Sequence, residues 1–261
     1  MNEIDYPENL NIYTKNINLA IKVSTLAKGR QVEDKVFWAC VLFTKMCVTG
    51  MSIFVLSPNS EVATEKIEHW DFSSLFSLTR NLMESYQTLF YLCIDKITDN
   101  ERKARRKLFN LHDYYSRKKL FSFTSEPIED KDIEELVIRE LKETEYFKNL
   151  PEKQQQHFLK GEHSFFISRE DIEEKTGTNR DDFKFIYKLL SSNTHTFPMG
   201  FYRMMDGERG TGVRSKTEVA YSSYALYISS HYLVEATKNM LVFFPDILKT
   251  LTKDEVALLP K

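Results

Sequence analysis

Two distant stretches of this 261-residue chain hold the residues best able to do chemistry. In Asp71–Asp95, DFSSLFSLTRNLMESYQTLFYLCID, Arg80 and Glu84 are the only charges between the terminal aspartates. They stand four apart, one turn above the other on a helix. In Tyr187–Pro198, YKLLSSNTHTFP, Tyr187, Ser191 and His195 repeat that spacing and share a face if the helix continues through Thr194. Arginine brings a fixed cation with a donor fork suited to oxyanions, and histidine is the side chain best matched to proton transfer near neutrality. Arg80, Glu84 and His195 are therefore the candidate catalytic residues. The alternative for His195 is a cap on the helix C-terminus, where the dipole favours an imidazolium.

The element that must position Arg80 is a broadly buried helix. Phe72, Leu75, Phe76, Leu82, Met83, Tyr86, Leu89, Phe90 and Cys93 form its apolar stripe. Asp71, with Ser73 and Ser74, starts it. Ser73, Ser77, Arg80, Glu84, Gln87 and Tyr91 run along one flank, which makes Tyr91 a candidate for substrate binding with Tyr187 and Ser191. An arginine four residues before a glutamate is the weaker intrahelical orientation. Each residue therefore needs a further partner on a neighbouring helix.

The rest of the chain also reads as helix. Asn9–Ala27 and Val36–Leu56 precede the central helix, and Asn100–Phe123 follows it. Val36–Leu56 meets the length of a membrane span. Lys45 near its centre, the hydroxyls of Thr44, Thr49 and Ser52, and the acidic Glu33 and Asp34 before it favour a buried core helix, so no membrane partner is expected. Asn100–Phe123 carries eight basic residues beside an apolar stripe. They are either a solvated face laying its stems over the core or a strip for phosphates. His112 and Arg117 lie near the apolar side and join the substrate-binding candidates.

Residues 125–165 are acidic and then polar, with one thin amphipathic helix, and read as a peripheral helical insertion in a single domain spanning 1–261. Ser168–Leu190 reads as two capped helices around a glycine turn. This outline resembles a helix-turn-helix, but the second helix opens with Asp181 and Asp182, which argues against DNA. Phe197–Lys216 holds the only glycine-rich stretch and reads as a mobile loop; it lacks the ending of a phosphate-binding loop. Thr217–Phe244 is the last long helix.

Composition agrees with an all-α bundle of four or five long helices. With 8 glycines and 7 prolines there are too few turn residues for an all-β sandwich. A net charge of −2 provides no global basic field. Cys40, Cys47 and Cys93 lie in apolar helical patterns without paired spacing and suggest a reducing cytoplasm. Met1–Asn11 is polar and acidic, so no signal peptide is expected. The six histidines are scattered, so neither a metal nor another cofactor is expected. No flanked serine or cysteine indicates nucleophilic catalysis.

Trp70-Asp71, Arg80, Glu84, Tyr86, Tyr91-Leu92, Asp95 and Arg102, followed by Tyr187, Leu190-Ser191, His195 and Pro198, resemble the pattern of an uncharacterised bacterial family of all-helical domains of unknown function. The resemblance covers roughly 36–198. More distantly, the chain is similar to HEPN-type domains, helical bundles that include metal-independent ribonucleases of toxin and phage-defence systems. Their motif places a histidine four to six residues after an arginine and a polar residue. Here its parts are split between Arg80-Asn81 and His195. The resemblance implies RNA or a nucleotide as partner, a homodimer as one assembly, and a catalytic pairing of Arg80 with His195 across the fold. The competing expectation is a non-catalytic interaction module, with the same cluster fixing helix register.

Overall fold

A computed structural model describes residues 5–60, 69–124, 131–195, 197–202 and 212–259. Among these residues the chain forms thirteen α-helices and no strand, an all-α fold. The long ones are α1 (Tyr6–Ala27), α2 (Asp34–Leu56), α3 (Phe72–Leu89), α4 (Asp99–Phe121), α9 (Arg180–Thr194) and α11 (Lys216–Phe243). The chain divides into two compact units, one made of Met1–Ile94 with Thr176–Lys261 and the other of Asp95–Lys175.

In the first unit α1, α2, α3 and α11 pack on one another, and α9 lies against α3. Their facing residues, among them Tyr13, Ile17, Phe43, Met46, Phe76, Leu82 and Leu233, are fully buried. Each fully buried side chain of this size contributes about 1.5–3 kcal/mol. Close approach of α1 and α2 depends on Gly50, where an added Cβ would meet Ile17 Cδ1 at 2.7 Å. The Tyr13 hydroxyl donates to the Gly50 carbonyl at 2.7 Å, which satisfies a polar atom in this dry seam. Thr79 and Ser229 link α3 to α11 at 2.9 Å.

Although α2 is long and apolar enough to cross a membrane, it packs against α1, α3 and α11. Phe37, Val41, Val48 and Val55 remain on its outer side.

Helix α3 starts as its sequence predicts, with the Asp71 carboxylate accepting from the Ser74 backbone N–H at 3.0 Å. Its end differs from the expected regular helix through Asp95. Phe90–Ile94 winds into a π-helical turn, within which Tyr91 is completely buried.

The second unit comprises α4, α5 (Lys131–Lys142), α6 (Glu145–Lys148), α7 (Glu152–Phe158) and α8, which runs from Arg169 to Thr176 and ends at the unit's border. Leu108, Leu111, Leu141, Phe147 and Phe158 form its core. The basic run on α4 is largely matched by carboxylates: Lys107 pairs with Glu140, Arg117 with Asp113 and Lys118 with Glu134. Arg105 is fully buried between Asp95, at 2.8 Å, and Glu101, at 2.6 Å. Lys175 reaches Asp95 at 2.7 Å, so one ion pair joins the first and last residues of the unit.

Candidate functional site

Arg80 leaves α3 one turn before Glu84, as the four-residue spacing dictates, and its Nε donates to Glu84 Oε1 at 3.1 Å. The outer partners expected from the weak intrahelical orientation come from α9. Arg80 Nη2 donates to the Tyr187 hydroxyl at 2.8 Å, and the guanidinium carbon stands 4.8 Å from the centre of the Tyr187 ring. The Tyr187 hydroxyl in turn donates to Glu84 Oε1 at 3.4 Å. Arg80 Nη1 lies 3.0 Å from His195 Nε2. Arginine only donates, so Nε2 is the acceptor and the proton of the neutral ring sits on Nδ1.

The α9 helix brings these two side chains to Arg80 through its own local chemistry. The Asn179 side chain accepts from the Asp181 and Asp182 backbone N–H groups and starts the helix. Phe183 and Leu190 bury the inner face, leaving Tyr187 and His195 beside it. The helix ends at Thr194, and His195 follows as its C-terminal cap residue. Cap position and contact with Arg80 thus belong to the same residue. His195 is exposed, whereas the Arg80 side chain retains only 16% of its accessible surface.

A guanidinium has five N–H donors. Among the described residues Glu84, Tyr187 and His195 account for one N–H on each nitrogen, and one on Nη1 and one on Nη2 have no further partner there. The site can therefore hold an anionic oxygen beside an exposed imidazole.

The remaining candidates lie elsewhere or act indirectly. Ser191 turns its hydroxyl back to the Tyr187 carbonyl at 2.7 Å, a bond within the helix. Tyr91, within the π-helical turn, is fully buried in the core and does not line an accessible flank. His112 and Arg117 belong to the other compact unit. There His112 Nδ1 donates to the Gly161 carbonyl at 2.9 Å and Arg117 pairs with Asp113. No group of three metal-ligating side chains occurs among the described residues.

Beyond His195 the chain holds a feature that sequence reasoning assigned to a loop. Phe197 is followed by a short helix, α10 (Pro198–Tyr202), on which Phe201 and Tyr202 are exposed with it. The rings of His195 and Phe197 lie 5.5 Å apart. The signal for this element was the run of aromatic residues around Pro198, which α10 displays on its surface.

Residues 36–212, more than half of the chain, match the model of a family of unknown function (DUF5677). No curated protein and no solved structure matches the chain.

Proposed function

The chain belongs to this family of unknown function, and we propose that within it Arg80 and His195 form the centre of a HEPN-like, metal-independent ribonuclease. The observation that carries the reading is the 3.0 Å approach of Arg80 Nη1 to Nε2 of an exposed His195. It supports the reading because the HEPN-like pairing needs an arginine and a histidine side by side. In this scheme a phosphate oxygen replaces Nε2 as the acceptor from Arg80, and the two remaining guanidinium N–H groups complete the hold on the anion. Nε2 is then free to take the proton of the adjacent 2′-hydroxyl. The 2′-oxygen attacks phosphorus, the bond from phosphorus to the 5′-oxygen breaks, and that oxygen leaves with a proton from water. A 2′,3′-cyclic phosphate and a 5′-hydroxyl result. Glu84 and Tyr187 orient the guanidinium.

The test is cleavage of single-stranded RNA by the wild-type chain and by His195→Ala. The reading expects cleavage that disappears in the variant and on a 2′-deoxy substrate. Equal cleavage by both proteins, or none by wild type, would overturn it.

A second reading, a non-catalytic interaction module, is favoured by one observation: all three nitrogens of Arg80 already have partners. The cluster would then be a clip between α3 and α9. That reading expects an Arg80→Met, Glu84→Leu double variant to keep full function, because apolar side chains can take over the contact of this half-buried pair between α3 and α9.

A further inference from the structure

We infer that Phe197, whose ring neighbours His195, and Phe201, on the short helix that follows it, form a stacking subsite for a base of single-stranded RNA whose phosphate sits at Arg80. The inference rests on the ribonuclease reading and names its substrate class.

Three large aromatic side chains stand exposed within six residues: Phe197 at 55%, Phe201 at 42% and Tyr202 at 53%. The exposure does not come from a frayed backbone. The Phe197 N–H donates to the Ser192 carbonyl at 3.2 Å, and the Gly200 N–H to the Phe197 carbonyl at 2.7 Å. A Cβ at Gly200 would meet the Ser192 carbonyl oxygen at 2.7 Å, so glycine is what lets α10 sit this closely on α9. The segment is held while its rings face water. Phe197 immediately precedes α10 and Phe201 stands on it, four residues further along the chain. Phe201 is braced edge-on by Tyr202 at 4.7 Å and 75°. On the other side Phe197 neighbours the His195 ring at a tilt of 43°.

Position selects the occupant. An aromatic ring beside His195, which itself contacts the Arg80 guanidinium, puts stacking next to anion binding, the pairing that single-stranded nucleic acids require. Bases inside a duplex are stacked on one another and have no free face to offer. The exposed Lys188 lies on α9 two turns before His195, on the same side, and adds a cation for a neighbouring phosphate. Any base can use a ring face, so the subsite tolerates sequence and discriminates strandedness.

The experiment measures binding apart from cleavage. Fluorescence anisotropy of the full chain uses a 2′-O-methyl oligoribonucleotide, which cannot form the cyclic phosphate, together with the same oligomer made abasic. A Phe197→Ala, Phe201→Ala double variant should bind the intact oligomer about tenfold more weakly than wild type, given about 1–3 kcal/mol per stacked base. A Phe197→Tyr, Phe201→Tyr variant should recover most of the loss. On the abasic oligomer wild type and double variant should bind alike, and circular dichroism should show both folded. Equal affinity for the intact oligomer, or an equal loss on the abasic one, would overturn the subsite. So would a loss of self-association in the alanine variant with RNA affinity unchanged, which would make the patch a protein interface. If wild type cleaves nothing but the aromatic difference in binding persists, the ribonuclease reading fails and the subsite stands. If His195-dependent cleavage is seen and the aromatic variants bind as wild type does, the subsite fails and the ribonuclease reading stands.

Discussion

Arg80 Nη1 and His195 Nε2 are 3.0 Å apart although 115 residues separate them in the chain. The contact joins the middle of α3 to the C-terminal cap of α9. Glu84 and Tyr187 hold the guanidinium from the other two nitrogens. The cation is thereby oriented by protein groups alone, and in the proposed reaction this preorganisation is what would stabilise the developing charge.

Tyr187→Phe isolates the contribution of one hydroxyl. The ring and its contact with the guanidinium remain, but Arg80 Nη2 loses its acceptor and Glu84 a donor. Urea denaturation should show a loss of about 1 kcal/mol. Cleavage should fall because the guanidinium is less firmly aimed. Unchanged stability and activity would remove Tyr187 from its positioning role.

Asp95 sets an acid limit on the stability of the second unit. Burial raises its pKa, but hydrogen bonds from Lys175 and Arg105, together with their charges, outweigh burial and hold the carboxyl below its usual range. The stabilisation is fully present above the unfolded pKa of about 4 and is lost as pH falls through the lower folded value. Asp95→Asn should cost about 3 kcal/mol at pH 7, the low end for breaking a buried pair, because Glu101 still holds Arg105. The variant should also lose less stability than wild type between pH 4 and pH 2, as followed by denaturant titration at several pH values. A constant difference across that range would contradict the assignment.

Cys47 is predicted to be chemically silent. Burial pushes its thiol up to about 12, and the hydrogen bond from Ser24 lowers it only in part. Reaction depends on the thiolate, which is scarce at neutral pH. A disulfide reagent at pH 7.5 should label Cys47 in the native protein far more slowly than in urea, with mass spectrometry locating the label. Rapid native labelling would show that the α2 seam opens.

Gly200→Ala tests the seat of α10. The added methyl would press on the Ser192 carbonyl, a backbone atom that cannot rotate away. Displacement of Phe197 and Phe201 should lower affinity for single-stranded RNA several-fold, with the melting of the main bundle nearly unchanged. Wild-type affinity would show that the aromatic segment tolerates a shift.

The helices were legible because spacing four puts Arg80 with Glu84, and Tyr187 with Ser191 and His195, on defined helix faces. The pairing of Arg80 with His195, in contrast, was an expectation of the HEPN resemblance and did not follow from spacing. The orientation of the first pair demanded outside partners. Capping was legible too: Ser168 and Asp171 exchange backbone hydrogen bonds, and Asn179 starts α9. Three features were hidden. The π-helical turn at Phe90–Ile94 has no signal in the apolar spacing, which continues unbroken to Cys93, so Tyr91 read as a flank residue. Arg105 sat in a run of similar cations, and only the fold shows which one is buried against Asp95 and Glu101. Glycine content made 197–216 read as loop, whereas Gly200 serves a close helix contact.

The most direct test of the central claim is analysis of the products formed from a single-stranded RNA by wild type and by His195→Ala, with mass spectrometry reading the new ends. The Arg80–His195 account predicts 2′,3′-cyclic phosphate and 5′-hydroxyl ends from wild type and intact RNA from the variant. Intact RNA with both proteins, or the same products from both, would contradict it.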